Sequence, residues 1–175
     1  ATSLSMRLLS STLRKELDHA DHILLVADLR IDGDTIGSSL GTYHALKASG
    51  KRITLYAPAP IIESLKFLPG IKEFTNDKSV ANQKDIDLII VFDCSRADYM
   101  KDLLAQRENN AKLINIDHHR SNAGYGDINI VDINISSTAE LTYKLLTSAG
   151  YKINKDAAQC LLTGICTDTN VFSTS

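Results

Sequence analysis

The stretch VADLRIDGDTIGSSLG, residues 26–41, decides the fold class because it joins the end of an apolar strand to the start of a helix. Three aspartates, Asp28, Asp32 and Asp34, lie close together within it. Carboxylates at this spacing repel one another and raise each other's pKa, so the arrangement is unfavourable unless a cation lies between them. The stretch therefore predicts a strand-to-helix loop that binds a metal ion.

Outward from this stretch, short apolar runs alternate with segments of helical periodicity, which is typical of βαβ units and a parallel sheet. The pattern predicts strands at 22–28, 52–57, 87–93, 112–117 and 128–132. It predicts helices at 6–19, 34–49, 60–67, 96–106, 137–149 and 156–166. We therefore expect an α/β fold, a mainly parallel sheet of about five strands with helices on both faces.

Composition narrows the function classes. The 175 residues and 43% hydrophobic content fit one domain, and a net charge of −2 gives no basic footprint for long nucleic acid. Three cysteines without zinc-site spacing favour a reducing, cytoplasmic compartment, and the apolar runs are too short to span a membrane.

The final stretch TDTNVFSTS, residues 167–175, has the character of a loop leading onward, so we expect a fragment that lacks a second domain.

The predicted strands end in residues that bind metals. In an open parallel sheet, ligands sit outside the carboxyl ends of the strands, and a helix carrying TGICTDT can return to the same edge. Six carboxylates and two imidazoles are expected there: Asp28, Asp32, Asp34, Asp93, Asp117, His118, His119 and Asp168. Carboxylate oxygens with imidazole suit Mn²⁺ or Mg²⁺, and the ligand supply is enough for two ions bridged by Asp93.

The neighbouring residues have expected roles as well. Because adjacent side chains in extended backbone point in opposite directions, one of His118 and His119 can bind metal while the other faces substrate. Arg120 can contact a phosphate oxygen. Cys94 fits a packed thiol better than a nucleophile, since no histidine base is placed for it by sequence. The small residues at 37–39 fit close helix-to-sheet packing or an approach of helix amides to phosphate equally well.

Four motifs, DGDTIGS, VFDCS, DHHR and TDTNVF, resemble in order and spacing those of the DHH phosphoesterase superfamily. The oligoribonuclease/3'-phosphoadenosine-5'-phosphate phosphatase branch is most similar, and it implies a Rossmann-like DHH catalytic domain over residues 1–175. In that branch a substrate-binding DHHA1 domain follows, and we expect it to be missing from these 175 residues.

The resemblance also implies roles for individual residues. It places Asp32 and Asp93 on one Mn²⁺, and Asp34, Asp93, His118 and Asp168 on the other, with His119 facing substrate and Asp117 orienting the histidines. Asp28 stands where the branch has a histidine, and it can still bind Mn²⁺ or Mg²⁺.

The expected function is hydrolysis of short oligoribonucleotides or 3'-phosphoadenosine-5'-phosphate by a water that the metal ions activate. Two alternatives remain open. One is a different substrate of the same superfamily, namely a cyclic dinucleotide, single-stranded DNA or polyphosphate. The other is a catalytically weak nucleotide-binding module, because Asp28 replaces the usual histidine. The expected partner is a small nucleotide or short oligonucleotide, without membrane or long nucleic acid, and the sequence leaves a homodimer open.

Overall fold

Six strands pair in parallel in the computed structural model, which describes residues 3–168 except for the side chain of Asp168. The strands are β1 His22–Ala27, β2 Arg52–Tyr56, β3 Phe74–Thr75, β4 Leu88–Phe92, β5 Lys112–Asp117 and β6 Ile128–Val131. The helices are α1 Leu4–His19, α2 Gly33–Leu46, α3 Ala97–Leu103, α4 Thr138–Ser148 and α5 Lys155–Asp168. The predicted α/β class is confirmed.

The strand order is β3-β2-β1-β4-β5-β6. The chain builds the sheet outward from β1 in one direction, then crosses over to start the other half at β4. The adjacent pair β1 and β4 is therefore the point where the strand order reverses. Ligands of open α/β sheets bind in the crevice at this point, outside the carboxyl ends of the strands.

Both faces of the sheet are covered, which explains why β1 and β4 are continuous apolar runs without polar alternation. Ile23, Leu25 and Ile90 point to a large core formed with α1, α2, α4 and α5. Leu24 and Val91 point to a smaller core on the opposite face, where α3 and the 3₁₀ segment Lys78–Asn82 pack. The expectation of helices on both faces is thus correct, with four of the described helices on one side.

The structure differs from the prediction in one expected helix and in one additional strand. The helix expected at 60–67 is wrong: this region contains only the 3₁₀ turn Glu63–Leu65. Pro60 lies in this window and Pro58 and Pro69 lie beside it, and a proline disfavours helical backbone in the residue before it. The sixth strand, β3, was not predicted because its two residues are too few to show an alternation.

Helix α2 approaches α5 through a stripe of glycines. A Cβ at Gly37 would collide with the carbonyl oxygen of Cys160, and one at Gly33 would collide with the side chain of Thr167. Because α2 begins at Gly33, residues 37–39 lie beyond the first turn, where amides are already paired within the helix. Approach of these amides to a phosphate is therefore excluded, and the close packing at Gly37 is against helix α5, where helix-to-sheet packing was expected.

Within residues 3–168, no helix is long and apolar enough to cross a membrane.

Candidate metal centre

The predicted site residues follow strands that meet at the reversal point of the sheet. Asp28 follows β1, Asp93 follows β4, and His118 and His119 follow β5, which ends at Asp117. The amide of Asp93 donates to the carbonyl of Ile116 at 2.9 Å, which ties the end of β4 to β5. The parallel register thus brings segments distant in sequence to one edge.

Asp93 has a backbone conformation that few residues adopt. Its φ is 67°, and among residues 3–168 it is the one non-glycine residue at positive φ. A left-handed aspartate is strained, and such strain is retained where the surrounding structure fixes it, often at functional sites. The carboxylate of this left-handed residue is buried. The Thr138 hydroxyl donates to its Oδ1 at 3.0 Å.

His118 lies between two buried carboxylates. Its Nε2 is 3.5 Å from Asp93 Oδ1 and 3.6 Å from Asp34 Oδ2. Asp34 is on α2, and it accepts hydrogen bonds from the backbone amides of Thr138 and Ala139 at 3.0 and 2.8 Å. Elements β4, β5, α2 and α4 therefore converge on this imidazole.

Three side chains form a group compact enough to hold one ion. Asp93, His118 and His119 each offer a ligand atom, and these atoms all lie within 4.8 Å of one another. Carboxylate oxygen with imidazole nitrogen is a donor set that suits Mn²⁺ as well as other first-row metals, whereas the group contains no thiolate. The described residues therefore fit the divalent ion that the sequence predicts.

Asp117 fixes the orientation of His119. Its Oδ1 is 2.6 Å from His119 Nδ1 and accepts the His118 amide at 2.8 Å, while its Oδ2 accepts from Asn122 Nδ2 at 2.8 Å. Burial raises the pKa of Asp117, but the hydrogen bonds from His119 and Asn122 outweigh it and hold the pKa below its ordinary value. The hydrogen bond to Asp117 raises the pKa of His119 despite partial burial.

Asn122 is a contact that the sequence reasoning missed. It also accepts from the Asn115 side chain at 3.1 Å and from the Gly124 amide at 2.8 Å, so it is locked in place behind Asp117. The feature of the sequence that could have indicated this role is the position of Asn122 in a polar turn, five residues after Asp117.

Asp28 and Asp32 lie outside the compact ligand group. Asp28 is buried, and its amide donates to the Thr35 hydroxyl at 2.8 Å, which in turn donates to the Phe92 carbonyl at 2.9 Å. Asp32 caps α2 by accepting the Thr35 amide at 3.0 Å, and its other oxygen is 3.3 Å from Arg30 Nε. The Asp32 carboxylate thus serves as a helix cap, whereas the Asp28 contact uses its backbone amide. Asp28 lines the same cleft as Asp93 and His119.

The predicted metal ligand Asp168 has its side chain outside the described residues, as does the remainder of its motif at 169–175. Its backbone ends α5, and the preceding Thr167 packs against Gly33 at the start of α2. The end of α5 therefore lies beside the start of α2, which carries Asp34 and has Asp32 as its N-cap.

A cleft of about 340 Å³ opens over the strand ends. Its lining combines acidic, basic and hydroxyl side chains: Asp28, Leu29, Arg30, Asp93, Ser95, Arg96, His119 and Ser121. Arg120 is exposed in the turn after β5 and is not part of this lining. The guanidinium groups at the cleft belong to Arg30 and Arg96, which sequence reasoning did not single out.

Cys94 is a packed thiol, as expected. It is fully buried next to Asp93, and burial, together with the charge of nearby Asp28, raises its pKa to about 12. A thiol in this state is a poor nucleophile at neutral pH.

The sequence and the fold identify the class of protein. Residues 22–165 match the profile described as "DHH family, N-terminal domain", and the chain belongs to that family. It is 34% identical over 141 residues to a protein of Thermus thermophilus named bifunctional oligoribonuclease and PAP phosphatase NrnA. That alignment covers 81% of this chain and 41% of the relative, so the chain spans less than half of the relative's length.

Solved structures agree with this assignment. An exopolyphosphatase-related protein of Bacteroides fragilis superimposes with a TM-score of 0.84 at 32% identity, covering 95% of this chain and 52% of the other. The exonuclease RecJ bound to manganese superimposes with a TM-score of 0.59 at 16% identity, covering 96% and 44%. The RecJ likeness shows the shared fold alone.

Proposed function

We propose that this chain is the catalytic domain of a divalent-metal-dependent phosphoesterase. The observation that carries the proposal is the convergence of Asp34 and Asp93 on His118, with His119 beside them, at the strand ends next to the point where the strand order reverses. The Thermus relative, named for oligoribonuclease and PAP phosphatase activity, supports a phosphoester substrate.

Two Mn²⁺ ions, with Mg²⁺ as a substitute, would be held by the carboxylates and His118. Asp34, Asp93, His118 and Asp168 are proposed to bind one ion, and Asp28, Asp32 and Asp93 the other. When bound, the ions supply Lewis acidity toward the phosphate and lower the pKa of a water. The RecJ structure with manganese is consistent with the choice of metal, and the number of ions stays a prediction.

The other residues position the substrate. Asp117 engages Nδ1 of His119, so Nε2 is the nitrogen that can face the cleft. It donates to a phosphate oxygen when the imidazole is protonated, a state that the hydrogen bond to Asp117 favours by raising the pKa of His119. Arg30 and Arg96 line the same cleft and offer positive charge to the phosphate groups, a role that was predicted for Arg120.

The substrate class is proposed to be a small nucleotide, either a short oligoribonucleotide or 3'-phosphoadenosine-5'-phosphate. The cleft is small, and the net charge of −2 provides no track for a long polyanion. A following DHHA1 domain in the complete protein, a homodimer and a cytoplasmic location stay predictions from the sequence.

The test is a substrate panel on metal-stripped protein to which Mn²⁺ or Mg²⁺ is added back. The panel contains a 5'-phosphorylated diribonucleotide, 3'-phosphoadenosine-5'-phosphate and a cyclic dinucleotide. We expect hydrolysis of at least one of the first two with Mn²⁺ and none with EDTA. His119→Gln should lower the rate at least about 100-fold with metal content unchanged, whereas the exposed control His19→Gln should match the unmodified chain.

The binding-module alternative makes an opposite prediction. If nucleotides and Mn²⁺ bind but no substrate turns over, and Asp28→His does not restore turnover, the chain is a nucleotide-binding module and the proposal is wrong.

A further inference from the structure

The first turn of α4 touches both buried carboxylates of the candidate metal centre. Ser137 caps the helix by accepting the Glu140 amide at 3.1 Å. The residue after the cap, Thr138, has contacts that capping does not explain. It is fully buried.

Thr138 joins two carboxylates that come from different elements. Its backbone amide donates to Asp34 Oδ2 at 3.0 Å, and its hydroxyl donates to Asp93 Oδ1 at 3.0 Å. These are the same two oxygen atoms that lie 3.6 and 3.5 Å from His118 Nε2. One residue therefore fixes the oxygen atoms that face the imidazole.

Both hydrogen bonds from Thr138 offset the electrostatic repulsion between the carboxylates of Asp34 and Asp93. Two nearly fully buried carboxylates repel one another when each approaches the same imidazole. Amides at a helix N-terminus favour negative charge, which stabilises Asp34. Asp93 has no such helix end and is in a strained left-handed conformation, so the Thr138 hydroxyl is what holds its side-chain direction.

We propose that Thr138 is a positioning residue for the metal centre, acting through Asp34 and Asp93 without touching substrate. This inference rests on the proposed function, because it presumes that the two carboxylates bind a divalent ion. Removing the hydrogen-bond partner of a metal ligand commonly lowers metal affinity or activity 10- to 100-fold. The Thr138 hydroxyl should therefore matter for Mn²⁺ affinity more than for folding.

Thr142 provides a matched control one turn further along α4. It is 1% exposed, and its hydroxyl has no hydrogen-bond partner within the part of the chain that the structure describes. Thr142→Val and Thr138→Val thus make the same chemical change at equally buried positions of one helix. They differ in whether a carboxylate loses a hydrogen bond.

The experiment measures Mn²⁺ affinity of the metal-stripped chain by titration calorimetry, together with the electron paramagnetic resonance spectrum of bound Mn²⁺. We expect Thr138→Val to weaken Mn²⁺ binding about 10- to 100-fold and to alter the spectrum, while Thr138→Ser and Thr142→Val stay within about threefold of the unmodified chain. Circular dichroism at the titration temperature verifies folding. If Thr138→Val unfolds, the Ser and Ala variants at 138, which also differ by one hydroxyl, supply the comparison.

The outcomes separate the two claims. If the unmodified chain binds Mn²⁺ and the hydroxyl-free variants bind it equally well, the positioning role is overturned while the proposed function stands. If the unmodified chain binds no Mn²⁺, both are overturned.

Discussion

Asp93 is a single residue whose features destabilise the metal-free chain but suit the candidate metal centre. Its carboxylate is buried beside a second acidic group, and its backbone is left-handed. Neither feature favours the folded chain unless a cation is bound.

Asp93→Asn should therefore have opposite effects on the two states. Asparagine tolerates left-handed backbone and carries no charge, so the free energy of unfolding of the metal-free chain should rise by about 1 kcal/mol. Mn²⁺ should no longer stabilise the variant. Urea denaturation with and without Mn²⁺ measures both effects, and Asp102→Asn, an exposed carboxylate on α3, is the control. A variant that is less stable without metal, and is still stabilised by Mn²⁺, would contradict this account.

Cys94 provides a second test at the same scale. Because burial keeps its thiol protonated, Cys94→Ala should leave the rate of hydrolysis within about threefold of the unmodified chain. The native protein should also resist alkylation at this residue at pH 8, whereas urea-unfolded protein reacts. Loss of turnover in Cys94→Ala with bound Mn²⁺ unchanged would instead identify a nucleophile.

Sequence reasoning at this scale identified the strand-end residues and missed their supports. Asp93, His118 and His119 could be predicted because they follow apolar runs whose ends must share an edge. Thr138 could not, because it lies 104 residues from Asp34 along the chain and nothing local indicates that contact. Asn122 was missed because polar turn residues are common without any such role.

At the scale of elements, the contact between α2 and α5 sets the position of Asp34. The glycine stripe lets the two helix backbones approach, and the same helix α2 starts with Asp32 at its N-cap. The sequence predicted packing of these small residues on the sheet, whereas Gly37 packs on α5, since the spacing of glycines does not specify which element lies against them. The helix expected at 60–67 is wrong because the prolines in and beside this window disfavour helical backbone, whatever the spacing of its apolar residues.

Gly37→Ala tests this packing. The added methyl group would collide with the Cys160 carbonyl, which is backbone and cannot rotate away. We expect a loss of about 2–3 kcal/mol in the free energy of unfolding, measured by urea denaturation, with weaker Mn²⁺ binding as α2 shifts. Gly50→Ala is the control: φ is 75° there but a Cβ would meet open space, so the cost should be only about 1 kcal/mol. Equal losses in both variants would show that α2 and α5 do not pack closely.

At the scale of the whole molecule, the topology explains why the site lies where it does. Starting the sheet at β1 and crossing to β4 leaves a crevice between two strands whose neighbouring loops diverge. Alternating strands and helices predicted this class of fold, because a parallel sheet covered on both faces needs that pattern. The order of the strands could not be predicted from the pattern, since each crossover can extend the sheet at either edge.

The central claim is that carboxylates and a histidine from separate segments meet because they share divalent metal. The most direct test is diffraction from crystals of this chain soaked in Mn²⁺, with an anomalous difference map recorded at the manganese edge. The account predicts at least one strong peak within bonding distance of Asp34, Asp93 and His118, absent from Asp93→Asn crystals soaked in the same way. Well-diffracting crystals with no peak at these residues, or with manganese bound only elsewhere, would contradict it.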